Sequence, residues 1–428
     1  MRTTHLQNRS SPALAGAPPT TPPGARRSWS RPVSAAVAAG AGLVLATVIA
    51  GPAQAATSWS VDKTTNKGTI ANELYGAAAL SPTSAWAVGS WYDVNLAAPR
   101  TLVERWNGTA WSTVASPNAT DFYNELRDVD GSSATNAWAV GYANGSSGVN
   151  GAPRNTLAMR WNGTGWSIVA TPNPGVSNRE LYGVKTLSTT DAWAVGWYYD
   201  TGFVAEALTL HWNGTAWTQV TASGPGTLAN SLTAVSGVAS NDVWAVGTYQ
   251  STGDGRGITH PLAMHYDGTS WTSTPVPETA AGAYLRSVTA LAANDVWAVG
   301  SKSGYSMPVA YHWNGTAWSE VPTAPLAGAG TSNNYFYGVA GGAANQVWAV
   351  GYQSMPGTGA QPLVQRWNGT AFVNEAVPAL DAGGALHAAA VASGSATSGP
   401  TVFTVGTRSD FSTGSLTDRT LSIRGTGG

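Results

Sequence analysis

Three glutamates stand at one repeated position of the chain: Glu73 and Glu125 in Asn-Glu-Leu, and Glu180 in Arg-Glu-Leu. Carboxylates about 5–9 Å apart can cleave a glycosidic bond between them. Two residues further on, Tyr75, Arg127, Tyr182, Arg286, Tyr337 and His387 share a second repeated position, with Thr233 as its seventh member. Arginines beside a nucleophilic tyrosine are what sialidase-type hydrolysis needs, but no motif ties these residues to that chemistry. A third set is His211, His265 and His312. Histidines in a ring suggest a metal. Yet the same position holds Arg105, Arg160, Arg366 and Arg424, and arginine does not replace a metal ligand. The expected role is a hydrogen bond to a turn carbonyl or to Asp191, Asp242 or Asp295, so no metal and no cofactor are expected. No Gly-x-Ser-x-Gly, His-Glu-x-x-His or phosphate loop occurs. Asp254 and Asp410 form no calcium-loop pattern. Glu73, Glu125 and Glu180 themselves read as one repeat position kept three times, which weakens a catalytic assignment.

The elements that carry these residues repeat. Trp-Ala-Val-Gly starts at Trp86, Trp138, Trp193, Trp244, Trp297 and Trp348, with a degenerate copy at Phe403. Trp-Asn-Gly-Thr-x-Trp starts at Trp106, Trp161, Trp212 and Trp313, and is varied at Tyr266 and Trp367. In the third copy, Leu181 to Thr186 reads as strand a and Ala192 to Gly196 as strand b. Leu208 to Trp212 reads as strand c and Thr215 to Val220 as strand d. Asn-Gly between c and d is a strong hairpin signal, because both residues tolerate positive φ. Four short strands recurring about every 53 residues make one propeller blade. The expected fold is therefore all-β: a seven-bladed β-propeller of four antiparallel strands per blade. Thr57 to Val61 matches strand d, while Leu421 to Arg424 matches strand c with no d after it. The N-terminal strand is expected to complete the last blade and close the ring.

Most conspicuous residues then belong to the scaffold. Of the 20 tryptophans, 17 sit at repeated positions in strands b, c and d and are expected to pack between blades. The third position of strand a is small almost throughout (Gly76, Asp128, Gly183, Ala234, Ser287, Gly338, Ala388), as crowding around the axis requires. The a–b and c–d turns are short and uniform, whereas the d–a and b–c loops are long and varied. Function sits on variable loops held by a rigid frame, so the face carrying the second set is the candidate surface. There the expected ligand-binding residues are Tyr75, Arg127, Tyr182, Arg286, Tyr337, His387, Trp91 and Trp197.

Composition narrows the partners. Charged residues are 10% of 428, and the formal net charge is −1. The first 55 residues carry five arginines and no acid. Without them, 16 of the 21 basic residues face 22 acidic ones, a net of −6. An acidic chain has no bulk attraction for nucleic acid. There is no cysteine, which excludes disulfides, zinc thiolates and thiol nucleophiles. Residues 1–55 read as a signal peptide. A basic, Pro-rich stretch leads to an apolar run from Val33 to Ala50 and an Ala53-Gln54-Ala55 cleavage signal, so the mature chain is expected to start at Ala56. Arg26-Arg27 hints at twin-arginine export. After cleavage no membrane insertion is expected, and the mature chain, residues 56–428, is expected to be a secreted monomer.

The Asp-x-Trp-Ala-Val-Gly and Trp-Asn-Gly-Thr-x-Trp repeats resemble those of secreted bacterial seven-bladed propellers of a kelch-like or lectin-like kind, over about residues 57–424. The resemblance implies a fold rather than an activity. Copper-dependent oxidation of the kelch type needs a Cys–Tyr cross-link, which a cysteine-free chain does not have, and the Trp-Asp ending of WD40 repeats is missing. Arginine in excess of lysine, 17 against 4, looks actinobacterial. The expected function is non-catalytic binding of an extracellular glycan or protein on the loop-rich face. The alternatives are a glycan-cleaving enzyme using Glu73, Glu125 and Glu180, and a structural envelope protein.

Overall fold

A computed structural model describes residues 57–144, 152–252, 258–278, 282–302, 307–326, 333–355, 359–394, 398–410 and 417–427. The expected signal segment, its Ala55–Ala56 cleavage point and Asp254 lie outside the described residues. The described chain forms 28 strands and no α-helix. The strands group in fours, each group antiparallel and ordered as in the chain except the one that Ser58–Val61 completes beside the C-terminal strand. One eight-stranded sheet is two such groups joined by a single parallel bridge, Ala205 to Ala229. The first strand of each group faces the axis: Asn72–Ser81, Asn124–Ser133, Arg179–Thr186, Ala229–Ala239, Ala283–Ala292, Asn334–Ala343 and Gly384–Ala392. Each neighbours the next, and the last meets the first. This closed radial array is a β-propeller.

The joints between blades are aromatic. Strand b lies inside its sheet and between two sheets, so its Trp-Ala-Val-Gly run is buried on both faces. Its tryptophan projects into the next blade against the paired aromatics of strands c and d. Trp86 meets Trp161 and Trp166 at ring-centre distances of 5.0 and 5.2 Å. Trp138 repeats this with Trp212 and Trp217, Trp193 with Tyr266 and Trp271, and Trp244 with Trp313 and Trp318. Trp297 does so with Trp367 and Phe372. Phe403 of the last blade takes the same place against Trp106 and Trp111 of the first. Such pairs add about 0.5–1.5 kcal/mol each beyond the area they bury.

The histidine–arginine position supports these tryptophans. His211, His265 and His312 stack on Trp193, Trp244 and Trp297 at 4.2–4.5 Å. Each sets Nε2 2.9 Å from Oδ1 of Asp191, Asp242 or Asp295. Arg105 and Arg160 lie over Trp86 and Trp138 instead. Either residue type gives a flat cationic or polar group over an indole, which explains the interchange.

The hairpin reading needs one correction. Only the glycine of each Asn-Gly turn has positive φ, for example Gly108 at 101° and Gly214 at 96°. The asparagine acts through its side chain: Asn107 Oδ1 accepts the amides of Thr109 and Ala110 and the Thr109 hydroxyl. The loop is four residues long, between the paired Trp106 and Trp111. An Asx turn, not a two-residue turn, carries the motif.

Closure follows the expected route. Ser58–Val61 pairs antiparallel with the C-terminal strand, Ser58 opposite Thr426 and Val61 opposite Ile423. Arg424 clasps Asp62 through Nε and Nη2 at 3.1–3.2 Å, and the Trp59 indole donates to Glu375.

Along the axis the inner strands crowd. A Cβ on Gly76 would stand 2.5 Å from the Asp128 Cα, and one on Gly183 2.8 Å from the Ala234 Cα. Where the inner strand carries a short acceptor, that group bridges to the next blade. Asp128 Oδ2 accepts the Val184 amide, and Ser287 Oγ accepts that of Val339. Two residues further, Asp130 Oδ2 accepts the Thr186 amide and Ser236 Oγ that of Ala290. These bonds occupy backbone donors on the free edges of the inner strands. Asp128 is thus not merely a small residue. Burial pushes its carboxyl up to about 7, against the pull of the Val184 and Val129 amides.

Two stability predictions follow from buried carboxyls. Glu104 on the first strand c is buried, with no hydrogen-bond partner for either oxygen among the described residues. Burial pushes it up to about 8, with the Thr65 amide pulling the other way. Unfolded, a glutamate ionises near 4.3. Folding therefore retains a proton between those values, and stability falls as pH rises from about 4.5 to 8. Other blades carry Met159 or Met264 at this position. Glu104→Met should therefore raise Tm, with a gain about 5 °C larger at pH 8.5 than at pH 4.5 by calorimetry. Asp128→Ala should cost about 1–3 kcal/mol by stranding the Val184 amide. Asp128→Asn, which keeps an acceptor, should lie within about 1 kcal/mol of the parent at pH 7 in denaturant titrations.

Candidate functional site

The site begins with a bulge. In each inner strand the ladder to strand b skips one residue: Tyr75, Arg127, Tyr182, Thr233, Arg286, Tyr337 and His387. These are the seven residues of the second repeated position. A bulged residue leaves the pleat and is re-aimed. Here all seven line the axial channel. The bulge presses the carbonyl before it onto strand b, at the glycine ending Trp-Ala-Val-Gly. A Cβ on Gly89, Gly141 or Gly196 would overlap the carbonyl oxygen of Glu73, Glu125 or Glu180. That glycine is thus required by the bulge, and the bulge supplies the site.

The channel encloses about 560 Å³, within the range of small-ligand sites. Six of the eight sequence-chosen binding residues line it. Trp91 and Trp197 do not: Trp91 lies under the Lys67 ammonium at 4.8 Å, and Trp197 packs edge-on against Tyr199. They sit in strand b, where no bulge re-aims them.

The mouth has two unlike halves. On one side, Arg127 Nη2 lies 2.6 Å from Glu125 Oε1, and Glu125 also accepts the hydroxyls of Tyr123 and Tyr142. Next to it, Arg154 Nη1 lies 2.6 Å from Glu180 Oε1, and Glu180 accepts the Tyr182 hydroxyl at 2.5 Å. The side chains of Glu125 and Glu180 are 3% and 1% exposed. Burial, then the adjacent carboxylates, push the Tyr123 and Tyr182 hydroxyls up, so both stay protonated donors. In this half two of the three glutamates hold tyrosines and arginines in place; of the Arg127 guanidinium only Nε is buried without a partner. Tyr123 and Arg154 carried no sequence signal, because Tyr123 lies on a loop and Arg154 is the first residue of a strand c, both outside the repeated motifs.

The other half runs Arg286, Tyr337, His387, Tyr75. The rings stack in series: Arg286 over Tyr337 at 4.9 Å, Tyr337 edge-on to His387 at 5.6 Å, and His387 parallel to Tyr75 at 5.5 Å. Arg127 covers the Tyr75 ring, at 4.6 Å, and links the halves. Burial holds His387 down at about 4, so the ring is neutral; its Nδ1, 3.2 Å from the Leu74 carbonyl, donates to it and leaves Nε2 an acceptor. The hydroxyls of Tyr75 and Tyr337 make no hydrogen bond to any described residue. Two donors and an acceptor thus remain free beside Arg286.

Glu73 differs from its two counterparts. It has no hydrogen-bond partner among the described residues. Burial, then the charges of Asp418 and Glu125, push its carboxyl up, while Arg127 pulls it down. Further down the channel, Lys185 Nζ pairs with Asp130 at 3.1 Å. Among the described residues, no three His, Cys, Asp or Glu side chains gather as a metal site.

No family model matches the chain, and no curated protein matches it. Solved structures do. One is described as YCF48 bound to D1 peptide: 13% identical, covering 86% of this chain and 94% of that one, TM-score 0.49. An ulvan lyase bound to a GlcA–Rha3S saccharide is 11% identical, covers 78% and 92%, and has a TM-score of 0.47. An endosialidase of phage phi92 is 9% identical, covers 86% and 68%, and has a TM-score of 0.45.

Proposed function

We propose that the protein is an exported, non-catalytic binding module that takes an extracellular glycan at the channel mouth. The observation that carries this reading is the unsatisfied half of the mouth. Free hydroxyl donors on Tyr75 and Tyr337 and the Nε2 acceptor of His387 converge there within one arc. Hydroxyl-rich ligands match alternating donors and acceptors of this kind, and a concave site with few, fixed polar groups orients them. The aromatic faces contribute less than their number suggests, because Tyr75 is already covered by His387 and Arg127. A protein segment is the less favoured ligand. An extended peptide gains affinity by pairing with a free strand edge, and side chains already occupy edge donors at Val184, Thr186, Ala290 and Val339. The test is a glycan array probed with the parent and a Tyr75→Phe, Tyr337→Phe double variant. Saturable binding should weaken about tenfold in the variant with Tm unchanged. No glycan bound by the parent would sink the reading.

Glu73 favours a second reading, glycan cleavage. A raised carboxyl near other acids suits a general acid. Glu125 and Glu180 speak against it, because both are held in ion pairs with arginine. Under this reading, incubation with polysaccharides should release new chain ends, and Glu73→Gln should abolish that release at least a hundredfold. Intact substrates after prolonged incubation would leave binding alone.

A further inference from the structure

We infer that the open half of the mouth selects sugars carrying one negative charge, a uronate carboxylate or a sulfate ester, with Arg286 as the counter-charge. The inference rests on the glycan reading above. Three cationic side chains line the channel: Arg127, Lys185 and Arg286. Arg127 is neutralised by Glu125 at 2.6 Å and Lys185 by Asp130 at 3.1 Å. Arg286 has no acidic partner among the described residues. In the undescribed residues beyond Ala56, the only acid is Asp254, and Arg256 stands two positions away.

The surroundings of Arg286 hold it without satisfying it. Its guanidinium lies over Tyr337 at 4.9 Å and Tyr335 at 5.7 Å, which fixes its plane. Its Nε is buried with no acceptor. Neighbouring polar groups are already committed. Thr233 Oγ1 faces the carbonyls of Val246 and Leu285, and Ser287 Oγ holds the Val339 amide. A buried donor of this kind is costly unless something else accepts from it. A planar arginine fork matches a carboxylate or sulfate face with two bonds. One uncompensated charge matches a singly charged group. Thr233, the smallest of the seven bulged residues, stands next in the ring and leaves Arg286 unscreened on that side. The hydroxyls of Tyr337 and Tyr75 then meet the sugar's own hydroxyls.

The experiment compares matched saccharides on the full chain. The pairs are oligogalacturonate with its carboxyl-reduced form, and dextran sulfate with dextran; polyglutamate serves as a peptide anion. In at least one pair, the charged member should bind about 10- to 100-fold more tightly than its neutral twin. Arg286→Gln should erase that preference, and Arg286→Lys should keep part of it. The preferred pair identifies the anion. If Arg286→Gln does not fold, judged by its thermal transition, the twin comparison and the lysine variant decide. Equal binding of twins, or a preference surviving Arg286→Gln, overturns charge selection while leaving the glycan reading standing. Polyglutamate bound with no saccharide bound, or nothing bound at all, overturns both.

Discussion

The propeller depends on one contact made again and again: the indole of strand b lodged between two aromatics of the following blade. The contact fixes several features at once. It requires strand b to be apolar on both faces, and it sets the distance between the c and d aromatics that receive the indole. It also demands a flat group to cover the indole, which His211 and Arg160 both provide. The last joint shows how far the rule bends. Phe403 replaces tryptophan there and still meets Trp106 and Trp111 edge-on. At Trp348 a ring is lost outright: Gly425, opposite Trp59, stands where the other blades place the strand c aromatic.

The frame reaches the site through a smaller device. The glycine after Trp-Ala-Val has no side chain because a bulged carbonyl occupies that space. The bulge turns one residue per blade toward the axis. Four of these residues form the half whose hydrogen-bonding capacity is partly unspent. On the other side, Glu125 and Glu180 spend theirs on Arg127, Arg154 and the tyrosines. The asymmetry arises because three blades carry an acid two residues before the bulge and the others do not. Burial then forces each acid with a cation in reach to pair with it.

Much of this was legible from the residues alone. Periodic Trp-Ala-Val-Gly and Trp-Asn-Gly-Thr revealed the four-stranded unit, and the stray strand at Thr57 to Val61 revealed the closure. The small third position of strand a revealed the crowded axis. Two things were hidden. Trp91 and Trp197 looked like neighbours of the mouth, but sequence order does not tell which strand residues leave the pleat. The bulge itself was missed. Its signal was present in the glycine that interrupts every strand b, since a strand glycine marks close backbone approach. The ion-paired network was unreadable, because Tyr123 lies on a loop that follows no repeat and Arg154 opens a strand c ahead of its repeated residues.

The bulged residue answers to no ladder, although two of the seven bond the next blade, Thr233 to the Leu285 carbonyl and His387 to that of Leu74. Its backbone geometry is set by its neighbours, and its side chain leaves the sheet altogether. Exchange at that point leaves the ladder intact, and where the side chain holds no buried partner, as at Tyr75 and Tyr337, it perturbs the frame little. The chain already displays the freedom: tyrosine, arginine, tyrosine, threonine, arginine, tyrosine and histidine occupy it in turn. In evolutionary terms, the channel rim is a short alphabet written on an invariant page. Ligand preference can drift one letter at a time where the letter stands alone; Arg127 is less free to change, because the buried Glu125 pairs with it.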